Sequence, residues 1–194
     1  MQPVVGVLLA AGRGTRFGGD KLRAMLHGDR DAGLTLGVAA ARHLLEALPA
    51  SIAVVRSDDS QLADDLSAIG LRVVRCMRSY EGMGASLACG VQATSDAAGW
   101  VVALADMPWI APATIRAVAQ AITSGADLAA PFHRGKRGHP VGFSRGRYAD
   151  LATLTGDAGA KSIVEHAGAA LVAIDVDDAG VLRDIDVRED IIPD

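Results

Sequence analysis

Cysteine is scarce: the 194 residues include two, Cys76 and Cys89. They lack C-x-x-C spacing, which excludes the close thiol pair of a zinc or dithiol site. Their apolar or small-residue settings predict two buried free thiols. Positive charge is not in excess, with 19 Lys and Arg against 23 Asp and Glu, a net charge of −4. That balance excludes a general nucleic-acid binder, whose affinity rests on a basic face. No apolar run is long enough to span a membrane. No charged segment followed by an apolar signal core opens the chain, so the expected location is the cytoplasm. Internal repeats, low-complexity segments and linkers are also missing, and the expectation is one domain over 1–194 with a sizeable core.

What is present concentrates near the start. Val4 to Leu9 is an apolar run rich in Val and Leu, the pattern of a strand buried on both faces. Gly12, Gly14, Gly18 and Gly19 follow, interleaved with Arg13, Arg16 and Lys21. Glycine lets a backbone turn sharply and approach a ligand. Backbone N–H groups in such a loop can face phosphate oxygens. The stretch therefore reads as a polyphosphate site at the carboxyl end of the first strand. It is not a Walker A loop, because Asp20 stands where the lysine after Gly19 belongs. It is not the dinucleotide fingerprint either, because Phe17 replaces the third glycine.

Further along, Leu34, Val38, Ala41, Leu45 and Leu48 recur at helical spacing, and Ile52 to Val55 reads as a second strand. Leu62, Leu66 and Ile69 mark a helix closed by Gly70, and Leu71 to Val74 reads as a third strand. The order β-loop-α-β-α-β predicts a mostly parallel sheet with right-handed crossovers. Gly82 and Gly84 form a second glycine-bearing loop before a helix. Ser86 there reads either as a cap hydroxyl or as a nucleotide contact. Trp100 to Ala105 is a strand stopped by Asp106-Met107-Pro108. Asp106 reads as a turn residue or, opposite a triphosphate loop, as a Mg²⁺ ligand. Asp127 to Pro131 and Leu171 to Ile174 read as later strands. Between them, Arg134, Lys136 and Arg137, with Arg145 beyond, suit an anionic acceptor or a solvated loop. His133 and His139 lack a third ligand at metal spacing. The tail alternates apolar and polar residues through Asp186, then turns helix-like from Val187 to Ile192.

Leu9-Ala10-Ala11-Gly12-Arg13-Gly14-Thr15-Arg16-Phe17-Gly18, followed by Lys21, resembles the signature loop of the nucleotidyltransferases. Gly82-Met83-Gly84-Ala85-Ser86, Asp106-Met107-Pro108, Gly138-His139-Pro140-Val141, Gly156-Asp157-Ala158-Gly159 and Asp184-Ile185-Asp186 extend the likeness in order. Together they resemble the molybdenum cofactor cytidylyltransferases of the MobA-like family. The resemblance implies a Rossmann-like three-layer α/β sandwich of the nucleotide-diphospho-sugar transferase type. It implies transfer of CMP from CTP to the phosphate of a molybdopterin-type acceptor, with Mg²⁺ and release of pyrophosphate, and a molybdoenzyme that receives the product. By this likeness Arg16 and Lys21 are catalytic. Ala10, Ala11, Gly12, Gly14, Gly82 and Ser86 bind the nucleotide, His139 and Asp157 face the acceptor, and Asp106 and Asp186 hold metal. Leu-Ala-Ala-Gly points to the cytidylyl branch, where the guanylyl branch carries Leu-Ala-Gly-Gly. The chain departs from the pattern at Val187-Arg188, where the family has Thr-Pro, so Asp184 competes with Asp186 as ligand.

Three alternatives share these residues. One is a related transferase using GTP or another small acceptor. Another is an NADPH-dependent oxidoreductase, with Arg56 on the 2′-phosphate. The last is a non-catalytic carrier in molybdenum cofactor maturation, which would have no use for Lys21 and Asp106.

Overall fold

The structure, a computed structural model, describes residues 2–27 and 31–191. Residues 28–30 of the polar stretch after Lys21, and residue 192 of the expected terminal helix, lie outside those described.

Alternation along the first strand organises the layers. In β1 (Val4–Ala10), Leu8 and Ala10 point to one face of the sheet, while Val5, Val7 and Leu9 point to the other. Both sets are buried, so both faces must be covered. On the first face lie α1 (Leu36–Ala47), α2 (Ser60–Ala68) and α4 (Pro112–Thr123). On the second lie α3 (Met83–Gln92) and the short helices Tyr148–Ala152 and Lys161–Glu165. This is the expected three-layer α/β arrangement. Each fully buried Leu or Val side chain contributes about 1.5–3 kcal/mol.

The other strands are β2 (Ser51–Arg56), β3 (Arg72–Cys76), β4 (Gly99–Leu104), β5 (Leu128–His133), β6 (Lys136–Arg137), β7 (Val141–Ser144) and β8 (Leu171–Asp175). They run β3-β2-β1-β4-β7-β5-β6, with β8 paired to β5. β1 sits between β2 and β4, parallel to both. β7 is antiparallel to β4 and β5, so β5 again runs with β1. The carboxyl ends of β1, β4 and β5 therefore open on one edge of the sheet, where an open α/β sheet binds ligands.

Four expectations change. Cys76 and Cys89 are not free thiols: they form a disulfide between β3 and α3. Adjacent packing of the two elements brings their Cα atoms to 6.0 Å, within bridging reach. The basic loop after β5 is a hairpin, with Arg134 in the left-handed region at φ 50° and β6 as its return arm. Arg145 does not belong to it. Its guanidinium turns to the carbonyls of Ser95 and Ala97 instead. The tail holds 3₁₀ turns at Ala179–Leu182 and Arg188–Ile191 in place of a regular helix.

Candidate active site

The glycine-rich segment leaves β1 and folds back on itself over the carboxyl edge. At Gly14, φ is 58°, and a Cβ there would lie 2.9 Å from Lys21 Cβ and 3.0 Å from the Gly19 carbonyl. Only glycine tolerates that geometry. The Phe17 amide donates to Gly14 O at 3.0 Å, and the Lys21 amide to Gly19 O at 2.7 Å. Phe17 anchors the loop from below: it is buried in a third apolar cluster with Leu26, Leu36, Ala39, Ile185 and Ile191. That cluster ties the first loop to the tail, 170 residues on in the case of the Arg16–Asp186 pair.

The consequence is a compact arrangement of charge. Lys21 Nζ donates to Asp106 Oδ2 at 2.8 Å and lies 3.7 Å from Asp186 Oδ1. Arg16 Nη1 donates to the other Asp186 oxygen at 2.8 Å. Lys21 is nearly buried, whereas Arg16 is exposed, so the inner pair is screened less by solvent and salt. Asp106 stands two residues past the end of β4. The Ile185 amide donates to its carbonyl at 3.0 Å, which brings the tail alongside. Asp190 then sets the tail's turn. Its Oδ2 accepts from the Asp186 and Val187 amides at 2.8 and 2.9 Å. These two hydrogen bonds, Val187's first, hold the Asp190 carboxyl below the ordinary carboxylate range.

A cavity of about 410 Å³ lies beside this cluster, lined among others by Gly12, Gly14, Lys21, Gly82, Ser86 and Asp106. Its size suits a small-molecule site. Ala11 and Asp157 also line it, but Ala10 does not: its methyl packs into the core. The opposite wall is made where two glycine segments abut. The Gly84 amide donates to Gly156 O at 2.7 Å, and a Cβ at Gly84 would lie 2.5 Å from Thr155 O. Asp157 therefore stands against Gly82, on the same cavity as the first glycine loop. Ser86 is not a cap: Gly82 occupies that position, and the Ser86 hydroxyl bonds back to Gly82 O at 3.3 Å.

His139 is not among the residues that line the cavity. Burial is the main cause that lowers its pKa. Arg137 adds to the shift, while Asp106 and Asp184 oppose it. Its Nδ1 is buried without a hydrogen-bond partner among the described residues. Asp184 is exposed, while Asp186 joins the cations. His133 is engaged elsewhere, with Nδ1 3.0 Å from Val176 O. Among the described residues no three His, Cys, Asp or Glu side chains converge as a metal cluster. Arg56 is also committed: it bonds to Gly12 O, Asp58 and Asp59, which removes the basis for its role on a nucleotide 2′-phosphate.

Sequence reasoning missed Asp190, Tyr80 and Met83. Tyr80 and Met83 are exposed at the cavity rim beside Gly82. Their position next to a glycine loop was a usable signal. Nothing in the spacing of Asp190 announces its turn.

The site thus consists of a glycine loop whose Lys21 meets two carboxylates at the carboxyl edge of a mostly parallel sheet. Residues 6–171 match the MobA-like NTP transferase domain, and the chain belongs to that family. No curated protein matches it. Among solved structures it is similar to Rv0371c from Mycobacterium tuberculosis H37Rv, at 29% identity and TM-score 0.82, over 97% of this chain and 95% of that one. The same mycobacterial protein is known in complex with manganese (28% identity, TM-score 0.78, 98% and 96% covered). Molybdopterin-guanine dinucleotide biosynthesis protein A from Archaeoglobus fulgidus shares the fold (20% identity, TM-score 0.66, 97% and 95% covered). No helix is long and apolar enough to cross a membrane, among the described residues.

Proposed function

We propose that this chain transfers CMP from CTP to the phosphate of a molybdopterin-type acceptor, with Mg²⁺, for delivery to a molybdoenzyme. The observation that carries the reading is the position of Lys21 Nζ between Asp106 and Asp186, beside the cavity lined by the glycine loop. Two carboxylates that converge on one ammonium concentrate negative charge at the place where a cation is needed. Mg²⁺ is commonly held by one or two carboxylates, with phosphate oxygens and water completing its shell. The donor set fits, and the manganese complex of the mycobacterial relative supports a divalent ion here. Asp106 and Asp186 would hold the ion, which when bound neutralises phosphate charge and polarises the P–O bonds.

The chain's own residues then divide the remaining work. Backbone amides of the loop and the exposed Arg16 hold the triphosphate. Lys21, released from Asp106, stabilises the negative charge that builds at the α-phosphorus. An acceptor phosphate oxygen forms the new bond to that phosphorus, the bond to the β-phosphate oxygen breaks, and pyrophosphate leaves. No covalent enzyme intermediate is needed, because positioning and electrostatics supply the catalysis. The Leu9-Ala10-Ala11-Gly12 sequence supports cytidine over guanine, since it resembles the cytidylyl branch. Ser86, Gly82 and Ala11 border the nucleotide on this reading, and His139 and Asp157 serve the acceptor. The committed hydrogen bonds of Arg56 count against an oxidoreductase. The intact Lys21–Asp106 pair counts against a pure carrier.

The test is pyrophosphate release with Mg²⁺, molybdopterin and each of CTP, GTP, ATP and UTP, alongside Asp106→Ala. Release with CTP alone, lost in the variant, supports the reading. Release with GTP alone keeps the chemistry and overturns the base. Failure to bind any nucleoside triphosphate removes the transferase assignment.

A further inference from the structure

Arg56 ends β2 at the same edge of the sheet as the phosphate loop, since Val55 pairs with Ala10 in register. Its guanidinium uses all three nitrogens. Nη1 donates to Gly12 O at 3.2 Å, Nε to Asp58 Oδ1 at 3.2 Å and Nη2 to Asp59 Oδ2 at 3.0 Å. Asp59 is fixed in turn, because its Oδ1 caps α2 by accepting from the Leu62 amide at 3.1 Å. A chain of contacts thus runs from the first turn of α2 through Asp59 and Arg56 to the Gly12 carbonyl.

We infer that Arg56 is a positioning residue for the nucleotide's phosphates, acting through the Gly12–Arg13 peptide; this rests on the phosphate-binding reading of the loop. A trans peptide is planar, so its C=O and the following N–H point in opposite directions. Drawing the Gly12 carbonyl towards α2 turns the Arg13 N–H away from α2. The loop has two sides. Gly12, Arg13 and Gly14 line the large cavity, whereas Arg56, Asp59 and Leu62 enclose a small recess behind Gly12 and Arg13. Arg56 does not line the large cavity. Its charge is matched by two carboxylates, so it adds little positive field to a bound phosphate. Its contribution is orientation: it aims an amide donor that the backbone alone would leave free to rotate. The planar fork matters, because a lysine ammonium cannot satisfy three divergent acceptors from one rigid plane.

The experiment compares wild type with Arg56→Met, Arg56→Lys and Asp59→Asn. Three readouts are taken: the amide NMR shifts of Arg13 and Gly14 without ligand, the Kd for CTP with Mg²⁺, and KM against kcat. Arg56→Met is expected to move or broaden both amides and to weaken CTP binding about tenfold, the loss of one charge-assisted hydrogen bond. KM rises accordingly while kcat stays within about threefold, and lysine does not restore binding. Asp59→Asn keeps an oxygen for the α2 cap but loses the charged partner of Arg56. It is expected to weaken CTP binding in the same direction, and it carries the test if Arg56→Met fails to fold. Unchanged loop amides and unchanged CTP affinity in Arg56→Lys and Asp59→Asn overturn the inference. If wild type binds no nucleoside triphosphate while the amides still respond to the substitutions, the transferase reading falls and the inferred role in phosphate binding falls with it. The Arg56 control of the loop would then stand as a structural fact alone.

Discussion

Lys21 and Asp106 form a partly buried ion pair, 2.8 Å between Nζ and Oδ2, inside the site where a triphosphate and a metal are proposed to meet. Without ligand, the lysine thus stands in the position of a cation for Asp106 and, at 3.7 Å, for Asp186. Metal binding has to displace it. Lys21→Met is therefore expected to tighten Mn²⁺ binding severalfold in the absence of nucleotide. The same variant should lower nucleotidyl transfer at least about a hundredfold, as expected for removal of a transition-state donor. Electron paramagnetic resonance of free Mn²⁺ checks the first effect and pyrophosphate release the second. Weaker Mn²⁺ binding in the variant would show that Lys21 does not compete with the metal.

Asp190 touches no part of the cavity, yet it holds the amides of Asp186 and Val187. Asp190→Ala is expected to leave the sheet intact and to loosen the turn that presents Asp186. Mn²⁺ affinity should fall severalfold, with a melting temperature within about 3 °C of wild type, because the half-buried Asp190 bonds within the tail's turn. Retained metal affinity would remove the tail's carboxylate from the site.

Two glycines separate ligand space from packing. A Cβ at Gly12 meets nothing within 4 Å, whereas one at Gly84 meets the Thr155 carbonyl at 2.5 Å. Gly12→Ala should keep wild-type stability and weaken CTP binding, because the new methyl enters the region where the backbone must approach phosphate. Gly84→Ala should destabilise by about 1–3 kcal/mol, the typical cost of overpacking against atoms that cannot move away. Thermal melts and calorimetric titration distinguish the two. Equal losses of stability would contradict the open space at Gly12.

Asp127 supplies a pH dependence away from the site. The Arg147 guanidinium, with Nε at 2.9 Å, is the main cause that holds its carboxyl below the ordinary value of 3.8, helped by the Ser144 hydroxyl at 2.7 Å. A carboxyl whose folded pKa is depressed stabilises the fold above its unfolded pKa and loses that contribution as pH falls through the folded value. Stability should therefore decline below about pH 4. Asp127→Asn should flatten that part of the acid limb while leaving the neutral region nearly parallel to wild type. Denaturant midpoints between pH 2 and 7 measure it, and an identical acid limb in the variant would exclude this pair as a cause.

Much of the succession of strands along the chain was legible because β1, β2 and β4 are short apolar runs with breakers at their ends. β6 was not, since Lys136 and Arg137 carry no apolar signal and form a strand only because β5 offers them free backbone partners. Lys21, Asp106 and Gly82 could be picked out by residue type and neighbours. The inward direction of the Ala10 methyl was not legible, because its face of the strand is fixed by alternation counted from the core, which the motif does not state. The disulfide escaped notice because Cys76 and Cys89 belong to different elements, and only the packing of α3 on β3 brings them together.

The sequence by itself determined the class of chemistry: an apolar strand emptied into glycines and cations, and a second strand ended in aspartate, with parallel crossovers to set both ends on one edge. Tertiary structure alone decided which carboxylate joins Lys21. Asp184 and Asp186 are two residues apart and chemically equal, so local pattern cannot choose between them. The buried contacts of Ile185 with the cluster around Phe17, and the amide bonds to Asp190, orient the tail so that Asp186 meets the cations and Asp184 is left exposed. Such long-range packing depends on the simultaneous burial of side chains from both ends of the chain, information that no single segment contains.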